Sequence, residues 1–138
     1  MTRNRSTAED LVGTYFAAFN AGDIPGMLDC LSDDVRHHVN EGDIAHGKAR
    51  FTAFCEHMSR CYREELTEMV IFATQDGRRA AAEYLVSGTY LETDAGLPEA
   101  HGQTYSLPAG SFFDLTDGRI SRVTTYYNLA DWIRQVSA

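Results

Sequence analysis

The sequence predicts an α+β domain in which a strongly curved antiparallel sheet wraps N-terminal helices into a cone-shaped barrel with one pocket. Three observations predict it. Apolar residues recur at helical spacing through the N-terminal part of the chain, and β-branched and aromatic runs separated by Asp-Gly pairs fill the remainder. The length of 138 residues suits a single core, so residues 1–138 are expected to form one domain, with 1–6 a flexible tail.

Each element follows from local chemistry. Ser6-Thr7-Ala8-Glu9 sets a hydroxyl three residues before a carboxylate, the arrangement that satisfies orphan amides at a helix start. Leu11, Val12, Tyr15, Phe16 and Phe19 form the apolar stripe of that helix, and Asn20-Ala21-Gly22 ends it. Asp23 before Ile24-Pro25 reads as the cap of a short helix reaching about Leu31. Val35 to Val39 alternates as a short strand, and Phe51, Phe54, Cys55, Met58, Cys61 and Tyr62 mark a second long helix over 47–62. Four strands are then expected as a meander: 66–73, 80–91, 103–115 and 119–127, with Gln75-Asp76-Gly77 and Asp117-Gly118 as turns. Asn128 caps a last helix whose Leu129, Trp132, Ile133 and Val136 share a face.

Composition excludes several classes of function. At 43% hydrophobic, 11% aromatic and 23% charged residues, the chain is globular rather than disordered. A formal charge of −8 repels phosphate backbones and anionic lipids, so neither nucleic acid nor membrane is expected as a partner. The N-terminus lacks an apolar signal segment, no run is long enough to span a bilayer, and an odd cysteine count (Cys30, Cys55, Cys61) fits a reducing cytoplasm. His37, His38, His46, His57 and His101 match no H-E-x-x-H spacing and the cysteines no C-x-x-C, so no metal is expected. No dinucleotide fingerprint, P-loop or nucleophile elbow occurs, and Cys55 on an apolar stripe reads as core.

Residues 15–23, Tyr-Phe-Ala-Ala-Phe-Asn-Ala-Gly-Asp, followed by a short helix and Asp33-Asp34-Val35, carry a resemblance. So do Gly47, Ser87-Gly88-Thr89-Tyr90 and Asp117-Gly118-Arg119-Ile120 leading to Tyr126-Tyr127-Asn128. Together they resemble ketosteroid isomerases and SnoaL-like polyketide cyclases of the nuclear transport factor 2-like superfamily, over nearly the whole chain. The last helix is closer to the SnoaL-like members. The resemblance implies cofactor-independent isomerase or cyclase chemistry on a small hydrophobic carbonyl compound. A non-catalytic dimeric domain binding a small apolar molecule is the alternative, and a filled dimerisation module a third. A cavity above roughly 300 Å³ beside Tyr15 would favour the first two.

In ketosteroid isomerases a tyrosine and a protonated carboxylic acid hold the oxyanion and a second carboxylate shuttles the proton. Tyr15 stands at the tyrosine's place. The shuttle position falls at His38 or Val39, neither a carboxylate, and the second donor at Ser111 or Gly110. Strand parity turns His37 inward with Val35 and Val39, which makes it a candidate base or a core histidine. The expected catalytic set is therefore Tyr15, His37 and Ser111. His38 and Asn40 are expected at the mouth. The family register gives Tyr84, Val86, Phe113, Val123, Thr125 and Tyr127 as pocket lining with Phe16, Phe19, Phe54 and Met58, and for most of these plain core packing is expected ahead of direct ligand contact. Glu83, Arg122 and Tyr126 have outward parity, and relatives commonly dimerise through that face, so a homodimer is expected there.

Overall fold

The computed structural model describes residues 4–137. Helices α1 (Arg5–Asn20) and α2 (Ile24–Asp29) lead into strand β1 (Leu31–Val39) and the short β2 (Ala45–His46). Helix α3 (Lys48–Cys61) follows, then β3 (Tyr62–Ala73), β4 (Arg79–Tyr90), β5 (Thr104–Thr116), β6 (Arg119–Tyr127) and α4 (Leu129–Ser137). The six strands form one curved, unclosed sheet in the order β2-β1-β6-β5-β4-β3, so the four-strand meander is as expected.

Four details differ from the sequence reading. Helix α1 starts before Ser6, because Asn4 is the cap and its Oδ1 accepts the Thr7 N–H at 2.9 Å. Arg5 and Ser6 are therefore helical rather than tail, while the tail expected over 1–3 lies outside the described residues. Strand β1 begins at Leu31, and it runs parallel to β6, pairing His37 with Val123 and Val39 with Thr125. A parallel pair needs a long crossover, and everything from β2 to β5 supplies it. Strand β3 begins four residues early, at Tyr62, straight out of α3.

Two hydrophobic clusters fill the concave side. The larger packs Val12, Tyr15 and Phe16 of α1 and Phe51 and Cys55 of α3 against Tyr84, Phe113, Ile120 and Val123 of the sheet. The smaller packs Trp132 and Val136 of α4 against Tyr90, Tyr105 and Leu107. Val86 and Tyr127 are only partly buried and touch both clusters, so they mark the seam between them. Among the described residues no helix is long and apolar enough to cross a membrane.

Candidate functional site

Residues of inward parity carry the site. Tyr15 projects from the apolar stripe of α1, 5% exposed, with its ring edge-on to Phe16 at 5.3 Å and to Phe113 at 6.0 Å. Burial, reinforced by Cys55, Tyr84 and Cys30, holds its hydroxyl well above the usual tyrosine range, so the group is a proton-bearing donor. Phe51 of α3 closes the same nest, 6.4 Å from Tyr15 and 4.8 Å from the imidazole of His37. His37 also meets Phe54 edge-on at 4.6 Å. Burial first, and the neighbouring His38 second, push its pKa down to about 4. At neutral pH it is a neutral imidazole, able to accept a proton or a hydrogen bond.

Ser111 is almost fully buried at the centre of a hydroxyl chain, its Oγ 2.7 Å from the Tyr84 hydroxyl and 2.8 Å from Thr125 Oγ1. The chain exists because β4, β5 and β6 are neighbours and Ser111 pairs with Ala82 on one side and Thr125 on the other. Burial raises the Tyr84 pKa as well, although its hydrogen bonds oppose the shift.

Glu64 is the inward residue that sequence reasoning missed. It is half-buried on β3 and accepts a 2.6 Å hydrogen bond from the Tyr105 hydroxyl. Burial raises its pKa above the ordinary glutamate value, with the Tyr105 bond acting against the shift. Burial raises the pKa values of Tyr84, Tyr105 and Tyr127, and the Glu64 charge adds to the shift in all three, with Tyr105 the one that bonds it directly. Gly88 makes the arrangement possible. It lies between Glu64 and Tyr105 across β3, β4 and β5, and a Cβ there would come within 2.5 Å of the Tyr105 hydroxyl and 2.9 Å of Glu64 Cγ.

The expected lining divides by depth. Phe16, Phe113 and Val123 are core side chains packed around Tyr15. Phe19, Phe54, Met58, Val86, Thr125 and Tyr127 are half-buried and keep a face toward open space. His38 is not among them, because its parity carries it to the convex face, where its ring stands 6.2 Å from the exposed Tyr126. Asn40 does lie at the rim, yet its Oδ1 is engaged by the Tyr127 N–H at 2.9 Å.

Tyr15, His37, Ser111 and Glu64 lie outside each of three clefts on the surface. One of about 830 Å³ runs along the rim between Asn40, Tyr127 and Ile133. A polar one of about 710 Å³ lies between Asp33, Lys48 and Arg119, and one of about 460 Å³ lies on the convex face between Phe72, Pro108 and Phe112. Aromatic side chains pack around Tyr15, and the rim cleft reaches the seam between the two clusters at Tyr127.

A second group of polar side chains, His57, Cys61 and Asp94, converges at the end of α3 and could hold a metal ion. The sequence search for paired histidines or paired cysteines could not find it, because Asp94 arrives from the distant β4–β5 loop.

Comparison with known proteins agrees with this geometry. The chain is 69% identical to a candidate polyketide cyclase from a Silicibacter species, covering 98% of each chain with a TM-score of 0.95. It is 57% identical to a candidate polyketide cyclase from Pseudomonas putida, covering 99% of this chain and 98% of that one, with a TM-score of 0.93. An epoxide hydrolase-like protein of Mycobacterium tuberculosis shares the fold alone, at 16% identity and a TM-score of 0.74 over 99% of this chain and 89% of that one. No curated protein matches. The SnoaL-like domain profile matches residues 12–123, and with the curved sheet, the buried Tyr15 and the concave polar residues in place, the chain belongs to the SnoaL-like domain family.

Proposed function

We propose that this protein is an enzyme of isomerase or cyclase type that moves a proton on a small, hydrophobic carbonyl compound without a cofactor taking part in the transfer. The observation that carries the proposal is Glu64, a half-buried carboxylate of raised pKa that accepts a hydrogen bond from Tyr105 and whose charge is felt by Tyr84 and Tyr127. Abstraction of a proton next to a carbonyl needs a base with a pKa nearer neutrality than a free carboxylate has, and donors for the oxyanion that forms. Glu64 supplies the first, a role that ketosteroid isomerases assign to a carboxylate elsewhere in the chain. Tyr15 and the Tyr84–Ser111–Thr125 hydroxyls supply the second, and His37 offers a neutral acceptor on the same concave face, four strands away on β1. Similarity to candidate polyketide cyclases supports a substrate bearing several ketones.

A ligand-binding domain without catalysis is the second reading. It is favoured by the Ser111 hydroxyl, which Tyr84 and Thr125 already engage. Turnover separates the two. A panel of cyclic and linear diketones is screened for binding by calorimetry, and the best binder is compared across wild type, Glu64→Gln, His37→Gln and Tyr15→Phe, each checked by thermal melt. The enzyme reading expects about 10²- to 10⁴-fold lower turnover in Glu64→Gln and about 10²-fold lower in Tyr15→Phe, with affinity changed only several-fold. Unchanged turnover in both removes the mechanism and leaves the binding domain.

The assembly we propose is a homodimer through the convex sheet face, where Val70, Phe72, Phe112 and Tyr126 are exposed together. Three free, buried cysteines and the absence of any described membrane-spanning helix support a cytoplasmic location.

A further inference from the structure

His57 and Cys61 stand one turn apart on the last turns of α3, so their side chains share a face. The β4–β5 loop brings Asp94 to that face, with its Oδ1 2.8 Å from His57 Nε2, and Cys61 Sγ lies 3.9 Å from the same nitrogen. All three donor atoms lie within 4.8 Å of one another. A nucleophilic triad is excluded by this geometry, because a relay uses the two ring nitrogens for two different partners. Here a single nitrogen faces both. Three donors pointing at one spot is the requirement of a metal ion.

We propose that His57 Nε2, Cys61 Sγ and Asp94 Oδ1 form a zinc site. Thiolate, imidazole and carboxylate together match the borderline-soft Zn²⁺ better than the oxygen-preferring Mg²⁺ or Ca²⁺. Tetrahedral zinc spaces its ligand atoms about 3.3 to 3.8 Å apart, so seating an ion asks for shifts of about an ångström or less. His57, with its side chain 41% exposed, has room to make them.

The surroundings hold the ligands in place. Tyr62 donates a 2.7 Å hydrogen bond to Asp94 Oδ2, which leaves Oδ1 for the ion, and the Asp94 N–H donates to the Tyr90 hydroxyl at 2.9 Å. Tyr90 in turn donates to the Pro98 carbonyl at 2.7 Å, fixing the loop on both sides of Asp94. The Leu91 N–H bonds the Cys61 carbonyl at 2.7 Å, tying the end of α3 to the end of β4. Such outer partners commonly govern affinity by about 10- to 100-fold. On binding, Cys61 releases its thiol proton to solvent and the thiolate forms the metal bond. The exposed side of His57 leaves the fourth position to water. None of the proton-transfer residues is a ligand, so the site stands whether or not that chemistry does.

Cobalt is the probe that reports the thiolate directly. Reduced, chelator-treated full-length protein is titrated with Co²⁺, followed by competition with Zn²⁺. The expected result is a thiolate-to-cobalt charge-transfer band saturating at one ion per chain and abolished by Zn²⁺. The band should vanish in Cys61→Ser, persist in Cys30→Ser and Cys55→Ser, and need at least ~100-fold more Co²⁺ in His57→Gln, beyond the effect of losing an outer partner. Because the His57 side chain is partly exposed, that variant keeps the test open if Cys61→Ser fails to fold. No charge-transfer band in the folded wild type, or an unchanged band in Cys61→Ser or His57→Gln, overturns the site and leaves His57 and Asp94 as a hydrogen-bonded pair only.

Discussion

Burial acts in opposite senses on the protonation of His37 and Glu64: it keeps His37 free of a proton and helps Glu64 retain one. For His37 this has a measurable consequence in stability. An unfolded histidine takes up a proton below pH 6.5, whereas the folded one waits until about pH 4. Between those values the unfolded state binds more protons, so stability falls as the pH is lowered, by up to about 3 kcal/mol in total. Urea melts across that window should give a shallower pH dependence for His37→Gln than for wild type. Identical slopes would mean that His37 is not buried neutral. The inward placement of His37 was legible because Val35 and Val39 flank it at strand spacing. Glu64 was not legible, since the polar run Tyr62-Arg63-Glu64-Glu65 reads as the lead-in to a strand starting at Leu66. Its parity acquires meaning only when β3 is seen to start at Tyr62, with Gly88 and Tyr105 in register beside it.

At the scale of elements, one side chain couples α1 to the edge strand β3 of the sheet. Asn20, at the last position of the helix, donates from Nδ2 to the Leu66 carbonyl and accepts the Leu66 N–H at Oδ1, both at 2.9 Å. Just beyond, the β3–β4 register shifts between Thr67 and Val70, and Glu68 takes a φ of 54°. The clamp therefore holds β3 where the ladder is irregular. Asn20→Ala leaves both backbone groups without their partner and should cost about 1–3 kcal/mol, read as a lower denaturation midpoint with an unchanged m-value. A midpoint equal to wild type would mean that water replaces the clamp without cost. Helix and meander boundaries were readable from periodicity and Asp-Gly turns, but the direction of β1 was not. A strand's sequence carries no record of whether its partner, here β6, runs parallel to it.

Over the whole molecule, the two faces of the sheet divide the work. The concave face gathers the candidate proton-transfer groups, while on the convex face Arg36, Arg79 and Arg122 converge on Asp114 beside the exposed aromatics. Those ion pairs hold the Asp114 carboxyl below its ordinary range, with Arg122 the leading cause. The outward parity of Arg122 and Tyr126 was legible, whereas the convergence on Asp114 required the strand order. If the convex face is the dimer contact, light scattering at micromolar concentration should give a dimer for wild type and a monomer for Phe112→Asp. A monomeric wild type would contradict the assembly while leaving the concave site intact.

The most direct test of the central claim is whether the protein moves a proton on carbon at all. Wild type and Glu64→Gln are incubated in deuterium oxide with a diketone shown to bind, and loss of the α-proton signal is followed by proton NMR. Wild type should exchange that proton faster than buffer alone, and Glu64→Gln should lose about 10²-fold or more of the acceleration while still binding the ketone. A bound ketone exchanging no faster than in buffer, or equal exchange by both proteins, would contradict the assignment of Glu64 as the base.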